Sequence, residues 1–425
     1  MIDVIIIGAG ASGLHAARQL SHTGKSVVVL EARNRIGGRI HTLAGRNFSG
    51  PVEAGAEFIH GDLPLTKALM GEADVSHYKG HGAVWKVDNG QLEPGSFFEA
   101  GWDEVIRSLK SLREDMTIAE FLTRYFGGEE HKSLRESILQ FVQGYDAADA
   151  TKASAFALRD EWSGNDDITG YHPKGGYGQL MEYLHRRCLE HDVIFHHNAV
   201  VQEVRWKRGY AEMVTESGER YISAKVIVTI PPAVLRTGRA KFIPPLVEHS
   251  RAVNKIETGG VLKFLFEFKD AFWEKEAKNL RAMSGLHFLF SDATIPTWWT
   301  QKPRSIPLLT GWLAGPVTQG IHKNHETLLA DGLHSLAYLF ACEERELQQR
   351  IHAAKVVNWA NDPFSMGAYA YKTLDTTEAL KVLAEPVDDT VYFAGEAYYA
   401  GPEMGTVEAA LASAAQVAER IAGKD

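Results

Sequence analysis

The chain has 425 residues, 45% hydrophobic and 23% charged, which is ordinary for a soluble globular enzyme and long enough for two or three domains. A formal net charge of −9 excludes a basic footprint for nucleic acid or an anionic membrane surface. The two cysteines, Cys188 and Cys342, lie far apart with no CxxC, which suits a reducing, cytoplasmic compartment and excludes a disulfide framework.

In chain order, the β-branched run Ile2-Asp3-Val4-Ile5-Ile6-Ile7 reads as a buried parallel strand. Gly8-Ala9-Gly10-Ala11-Ser12-Gly13 follows and opens an apolar-periodic helix, Leu14 to about Leu20. A second strand, Ser26 to Leu30, ends in Glu31, roughly 20 residues past the glycines. Gly8 permits the tight turn, Gly10 admits a pyrophosphate to bare backbone, and Gly13 lets helix and strand approach. The free N–H groups at Ala11 and Ser12 suit the diphosphate charge, and Glu31 can accept from ribose hydroxyls. A glycine turn in an ordinary βαβ unit is the bland alternative; both strands and the acid favour a dinucleotide.

Glu31-Ala32-Arg33-Asn34-Arg35-Ile36-Gly37-Gly38-Arg39-Ile40 is a second Gly/Arg segment directly after the acid. A nicotinamide site has no general need for it. This acid, arginine and glycine pattern resembles the two-dinucleotide-binding flavoproteins and, within them, the flavin amine oxidase family, with its monoamine and polyamine oxidase-like members. The resemblance implies FAD, with Glu31, Ala32, Arg33, Gly38 and Arg39 beside it. No metal site is expected.

Val52 to Gly61 carries Ala54, Gly55, Ala56, Glu57, Phe58 and His60. Small residues at 54–56 would let backbone lie against a flat ring. The stretch resembles the family's segment under the flavin, with a histidine matching His60 at the cavity wall; a histidine bonded within a loop is the plain alternative. Helical patterns then dominate to about Leu158: Thr66–Met70, Trp102–Leu112, Ile118–Tyr125 with a Thr117/Glu120 cap, and Leu134–Val142. A hairpin with an Asn89-Gly90 turn interrupts them. Gln143 to Asp149 reads as a solvated loop.

Pro173 to Gly178 precedes a helix with Leu180, Met181, Leu184 and Cys188 on one face, and strands follow to Pro231. The family resemblance gives Val201 a backbone bond to adenine-side groups. Val261 to Phe268 alternates, with Val261, Lys263, Leu265 and Glu267 on one face. The family carries a lysine in such a strand, holding a water at the flavin N5, so Lys263 is the catalytic candidate; a lysine snorkelling from a sheet surface is the alternative. Trp298, Trp299 and Trp312 either line a cavity or fill the core. Helices are expected over Leu328–Phe340 and Glu343–Ile351.

Asn358 to Tyr369 holds Trp-x-x-Asp-Pro and then Gly-x-Tyr, which resembles the family at the flavin's edge. The match places Trp359 at the cofactor and Tyr369 in the aromatic cage over the ring. Ala368 stands where monoamine oxidases carry the cysteine that bonds flavin, so FAD should be non-covalent. The second cage position matches Pro402, with Tyr398 and Tyr399 close by. By the same resemblance Gly395 and Glu396 meet the ribityl chain. Gly405, Thr406 and Val407 open a last helix whose N–H groups of Thr406 and Val407 face the negative pole of reduced flavin. Ala422 to Asp425 end that helix, with no hydrophobic membrane tail. No apolar run approaches the roughly 18 residues of a membrane span, and no signal peptide precedes the first strand.

The expected fold class is α/β: a Rossmann-like two-dinucleotide-binding FAD domain (1–58, 173–245 and 386–425) intertwined with a mixed-sheet-plus-helices substrate domain (59–172 and 246–385). The expected activity is oxidation of an amine C–N bond to an imine, hydrolysed to a carbonyl, with O2 reduced to hydrogen peroxide. A small-molecule amine and O2 are the partners, and a homodimer is admitted. Three alternatives stand beside it. An L-amino-acid oxidase would need an arginine clamp, for which Arg159, Arg281 and Arg304 are available. A desaturase or protoporphyrinogen-type oxidase would take an apolar substrate. A non-catalytic flavin-binding interaction protein would need no cage at all.

Overall fold

The computed structural model describes all residues except 46, 99, 165–169, 276–280 and 424–425, so the expected end of the last helix at Lys424 and Asp425 lies outside the described residues. The first strand β1 (Ile2–Ile7), helix α1 (Ala11–His22) and strand β2 (Val27–Leu30) form where the apolar runs place them. β1 runs parallel to β2, with Ile7 opposite Leu30, and parallel to the Arg220–Val228 strand on its other side. Val4 and Ile6 enter one apolar cluster with α1, while Ile5 and Ile7 enter another across the sheet. Because both faces are covered, the run is apolar throughout instead of alternating. Each such side chain contributes roughly 1.5–3 kcal/mol on burial.

Parallel strands Ile194–His196 and Val391–Phe393 join this sheet beside β2 and Arg220–Val228. The antiparallel pair Val201–Lys207 and Tyr210–Thr215 and the short Lys241–Ile243 strand bring it to eight strands. The last helix, Val407–Ala422, lies against α1. The glycine turn and the final helix, far apart in sequence, thus meet over one face of one sheet.

A second, seven-stranded sheet has the order Ile351–Asn358, Val261–Phe268, Leu308–Ala314, Thr297–Thr300, Leu286–Ser291, Ala83–Asp88, Gln91–Pro94. The alternation expected over Val261–Phe268 is present: Leu262, Phe264, Phe266 and Phe268 fill one aromatic cluster, and Val261 and Leu265 belong to others. The hairpin turns at Asn89 and Gly90, both at positive φ (47° and 75°). Four helices, Trp102–Ser111, Ile118–Tyr125, Lys132–Gly144 and Ala155–Gly164, share a further core. Thr117 and Glu120 close the expected capping box: Glu120 N–H donates to Thr117 Oγ1 (3.2 Å) and Thr117 N–H to Glu120 Oε2 (3.0 Å).

One expectation fails here. Gln143 to Asp149 is not a solvated loop, since Asp146, Ala147 and Ala148 are buried. Its carbonyls are taken by side chains from the second sheet and its neighbourhood: Trp312 Nε1 donates to Gly144 O (2.7 Å) and the Tyr369 hydroxyl to Tyr145 O (2.5 Å). Partners so distant in sequence leave no local signal.

Candidate active site

A cavity of about 1340 Å³ runs from the glycine turn after β1 to the face of the second sheet. Gly8, Gly10, Ala11 and Ser12 line one end. α1 begins at Ala11 on a Gly10 cap that supplies no side-chain acceptor. Its first N–H groups are therefore unfilled, and the buried Ser12 Oγ has no hydrogen-bond partner among the described residues. Unfilled donors at a helix N-terminus fit a diphosphate. Gly13 does not reach the cavity; a Cβ there would lie 1.9 Å from Gly8 O, so the residue sets the closeness of turn and helix.

Glu31 is fixed by two backbone donors, Ala9 N–H to Oε2 (2.7 Å) and Arg33 N–H to Oε1 (2.8 Å). Ala32, Arg33, Gly38 and Arg39 follow along the wall. Arg33 donates to Asp362 (Nη1 to Oδ2, 3.0 Å) and lies 5.2 Å from the Phe364 ring centroid. Burial opposes ionisation of Asp362, but the Arg33 bonds outweigh it and hold that carboxyl below its usual range. Arg39 Nη1 donates to Glu396 Oε1 (2.6 Å) and to Ala368 O (2.9 Å), tying the second Gly/Arg segment to the C-terminal strand turn. Val201, Trp359, Gly395, Gly405 and Val407 also line the cavity.

Two expected cofactor groups are placed differently. Ala54 is fully buried behind the wall; its N–H donates to His41 O (2.9 Å) and its carbonyl accepts from Trp359 Nε1 (2.8 Å). Thr406 lines the cavity, but its N–H donates to Glu403 O (3.1 Å) and its side chain caps Ala409, so that amide is not spare. Val407 N–H, in the first turn of the helix, remains the donor the sequence anticipated.

At the other end stand Gly55, Ala56, Glu57, Phe58, His60, Lys263 and Tyr369. Lys263 is 1% exposed, which rules out a snorkelling surface lysine. Its Nζ donates to Glu57 Oε2 (2.6 Å) and Gly55 O (3.0 Å), and it lies 5.6 Å from the Trp299 ring centroid. Glu57 Oε1 accepts from Trp299 Nε1 (3.0 Å) and Gln301 Nε2 (2.8 Å), and His172 Nδ1 lies 3.7 Å away. Burial alone would raise the Glu57 pKa; the Lys263 and His172 charges and these hydrogen bonds outweigh it and hold the carboxyl below its ordinary value. Burial lowers His172 in turn. Sequence reasoning found Lys263 and Glu57 separately but missed their pairing, together with Gln301 and His172.

Tyr369 faces the cavity beside Tyr145, and burial, followed by the negative charges of Asp146 and Glu161, raises its hydroxyl far above the phenol range. The His60 ring lies 5.3 Å from that of Phe58 and 5.5 Å from that of Tyr145. Tyr398 turns away, its hydroxyl donating to Ile230 O (2.5 Å), and neither it nor Tyr399 lines the cavity, whereas Pro402 does. Trp299 and Trp312 line the wall; Trp298 belongs to the core against Phe264 and Phe266. Of the three arginines, Arg159 alone lines the cavity, and its Nε donates to Asp160 (2.8 Å). Neither Cys188 nor Cys342 lines it. Among the described residues no helix is long and apolar enough to cross a membrane.

Residues 11–422 match the family model for flavin containing amine oxidoreductases. The chain is 28% identical to lysine-specific histone demethylase 2 of Homo sapiens, over 93% of this chain and 50% of that one. It therefore spans about half the length of that relative. It is 27% identical to polyamine oxidase 2 of Arabidopsis thaliana, over 93% of this chain and 83% of the other. A structure of putrescine oxidase with redesigned cofactor binding superposes with a TM-score of 0.80 at 20% identity, covering 99% of this chain and 98% of the other. Cyclohexylamine oxidase from Brevibacterium oxydans IH-35A gives 0.78 at 19% identity, covering 100% and 99%. The mixed α/β fold is shared with both.

Proposed function

We propose, from the premise that the chain belongs to the flavin containing amine oxidoreductase family, that it is an FAD-dependent amine oxidase. The single observation carrying this reading is the continuous cavity that joins the unfilled α1 N-terminus and Glu31 to the buried Lys263–Glu57 pair and Tyr369. A neutral amine loses two electrons and two protons across its C–N bond and becomes an imine. Water hydrolyses the imine to a carbonyl, and O2 takes the electrons to give hydrogen peroxide. FAD, when bound, supplies the two-electron acceptor.

The chain's residues bind, orient and exclude water. Gly8, Gly10, Ala11 and Ser12 receive the diphosphate, Glu31 a ribose, Val201 the adenine side, and Glu396 the ribityl side with Arg39 holding its charge. Gly55, Ala56, Phe58 and Trp359 bound the ring system, and Val407 N–H meets its negative pole. Tyr369 and His60 position the amine, and Lys263 presents its proton-bearing Nζ at the reacting end. Binding is non-covalent, consistent with Ala368 and with the absence of both thiols from the cavity wall. The two sheets support the proposed division into an FAD domain and a substrate domain, in a cytoplasmic protein free to form a homodimer. An amino-acid clamp would call on Arg159, whose Nε donates to Asp160 and whose guanidinium lies 4.2 Å from the Phe156 ring centroid.

The test is product analysis: incubation with amines in air should yield hydrogen peroxide and aldehyde or ketone in equal amounts. Peroxide without carbonyl product, or neither, would overturn the assignment.

A further inference from the structure

Two buried histidines stand behind the cavity wall, beyond Glu57. His172 belongs to the Tyr171–Pro173 strand and His287 to the Leu286–Ser291 strand; they are 3% and 1% exposed, and neither lines the cavity. His172 Nδ1 lies 3.7 Å from Glu57 Oε1, and Tyr78 stacks on the ring, centroids 5.1 Å apart and planes within 8°. His172 Nε2 and both nitrogens of His287 have no hydrogen-bond partner among the described residues. The two rings converge at Gly80, where a Cβ would lie 2.8 Å from His287 Nε2 and 3.4 Å from His172 Nε2. Beyond His287, the charge of His81 reaches it, and His81 is exposed. The neighbours Leu286 and Leu289 show that this strand buries apolar side chains readily. An imidazole with idle nitrogens in such a place is unfavourable and calls for a role in proton or water exchange.

We propose that His172 and His287 are a proton relay between the Lys263–Glu57 pair and the exterior at His81, which supplies one proton for each O2 reduced to hydrogen peroxide. The inference rests on the amine-oxidase reading and adds a route for its protons. O2 takes two electrons and two protons. Both electrons and one proton come from reduced FAD, which returns to its oxidised state; Lys263 Nζ gives the other proton. Nζ, then neutral, is refilled from His172 Nδ1 through Glu57, which accepts the proton on one oxygen and delivers it on turning its carboxyl. His172 takes a proton at Nε2 from His287, and His287 takes one from water beside His81. Each imidazole ends as its other tautomer. An amine that arrives as its ammonium sheds one proton before it reacts, and that proton, leaving by the same route, restores both rings.

The electrostatics suit a relay. Burial, with the Lys263 and Arg304 charges, lowers His172 against the pull of Glu57; burial, with the His172 and His81 charges, lowers His287 to about 4 against the same pull. Tyr78, itself beside Arg304, also faces His172. Both rings are therefore neutral near pH 7, each with one donor and one acceptor nitrogen, a form that passes a proton on without holding it. Glu57 responds in the same sense. While Nζ is charged, the Glu57 carboxyl is held low; once Nζ is neutral, burial acts with less opposition and raises it. The 3.7 Å approach of His172 to Glu57 has to shorten for transfer, as hydrogen bonds of resting sites do when reaction begins.

The test uses the holoenzyme, reduced by light so that reoxidation is read whether or not an amine serves. It is mixed with O2 in weakly buffered solution, and the flavin band and a pH-indicator dye are followed together. The wild type should take up one proton per flavin at the rate of reoxidation. His172→Gln and His287→Gln keep a donor and an acceptor but cannot exchange them, so both rates should fall on the order of 100-fold. Reoxidation of the variants should slow further in D2O and recover when added imidazole reaches Lys263 through the cavity. Flavin content and melting temperature show whether each variant is folded, and either position alone gives the readout. The side-chain 15N resonances of His172 give a signal that needs no turnover: Lys263→Met removes a charge that opposes its protonation, so its pKa should rise. Wild-type rates in either Gln variant, a slowing that neither D2O nor imidazole changes, or His172 signals indifferent to Lys263→Met would each overturn the relay. No reduction of the flavin by any amine would overturn the amine-oxidase reading, while the light-reduced protein still decides the relay.

Discussion

Lys263 and Glu57 form a buried ion pair, and such a pair is sensitive to the loss of either member. Removing one partner leaves a charge without compensation, at a cost of about 3–5 kcal/mol. Lys263→Met and Glu57→Gln should each lower stability by that order, whereas the double variant, which carries no unpaired charge, should recover most of it. Chemical denaturation of the four proteins measures this. Activity should behave differently: Lys263→Met should slow flavin reduction or reoxidation with FAD still bound, and the double variant should not restore the rate. Unchanged rates in both half-reactions would refute the role of Lys263. Glu53, four positions before Glu57 on the same segment, makes a pH prediction. Burial raises its carboxyl to about 7, against the Lys263 charge and bonds from Tyr177 N–H and Thr42 Oγ1. A carboxyl raised on folding stabilises the fold while protonated; that contribution is whole below about 4.5 and is lost as pH climbs through about 7. Glu53→Gln should therefore gain stability over wild type at pH 8, by roughly 1–3 kcal/mol, and little at pH 4. A variant that gains equally at both would contradict the assignment.

At the level of elements, the turn between β1 and α1 has almost no slack. Because a Cβ at Gly13 would sit 1.9 Å from Gly8 O, Gly13→Ala must push helix and strand apart. The expected outcome is purified protein with little bound flavin while the second sheet stays folded, checked by flavin absorbance per protein and by circular dichroism; full flavin occupancy would show that the turn yields. This turn, the two strands and Glu31 were legible because short-range period and glycine spacing encode them. So was the Val261–Phe268 strand, whose alternation placed Lys263 with apolar neighbours. What escaped the sequence is contact between distant segments. Glu57 and Lys263 are 206 positions apart, and Glu57 and Gln301 244. Gln143 to Asp149 looked like a solvated loop because its polar residues carry no periodicity; Trp312 and Tyr369 bury it from elsewhere in the chain. The cage is another such case: Tyr398 lies close to the matching position in sequence, yet its hydroxyl is spent on Ile230 O.

At the scale of the whole molecule, the chain reaches its cavity from both ends. The opening βαβ unit and the final helix line the end proposed for the dinucleotide, and the second sheet supplies Lys263, Trp299 and Trp312. Motifs near both termini line that cavity, Gly8 and Gly10 at one end of the chain and Gly405 and Val407 at the other. The central claim is that one cavity brings an amine to a bound flavin. The most direct test is anaerobic: the yellow holoenzyme is mixed with a panel of amines, polyamines and L-amino acids, and the flavin band is followed. Bleaching by amines and not by amino acids is the predicted result. Bleaching by L-amino acids alone, or a band that no compound bleaches, would contradict it.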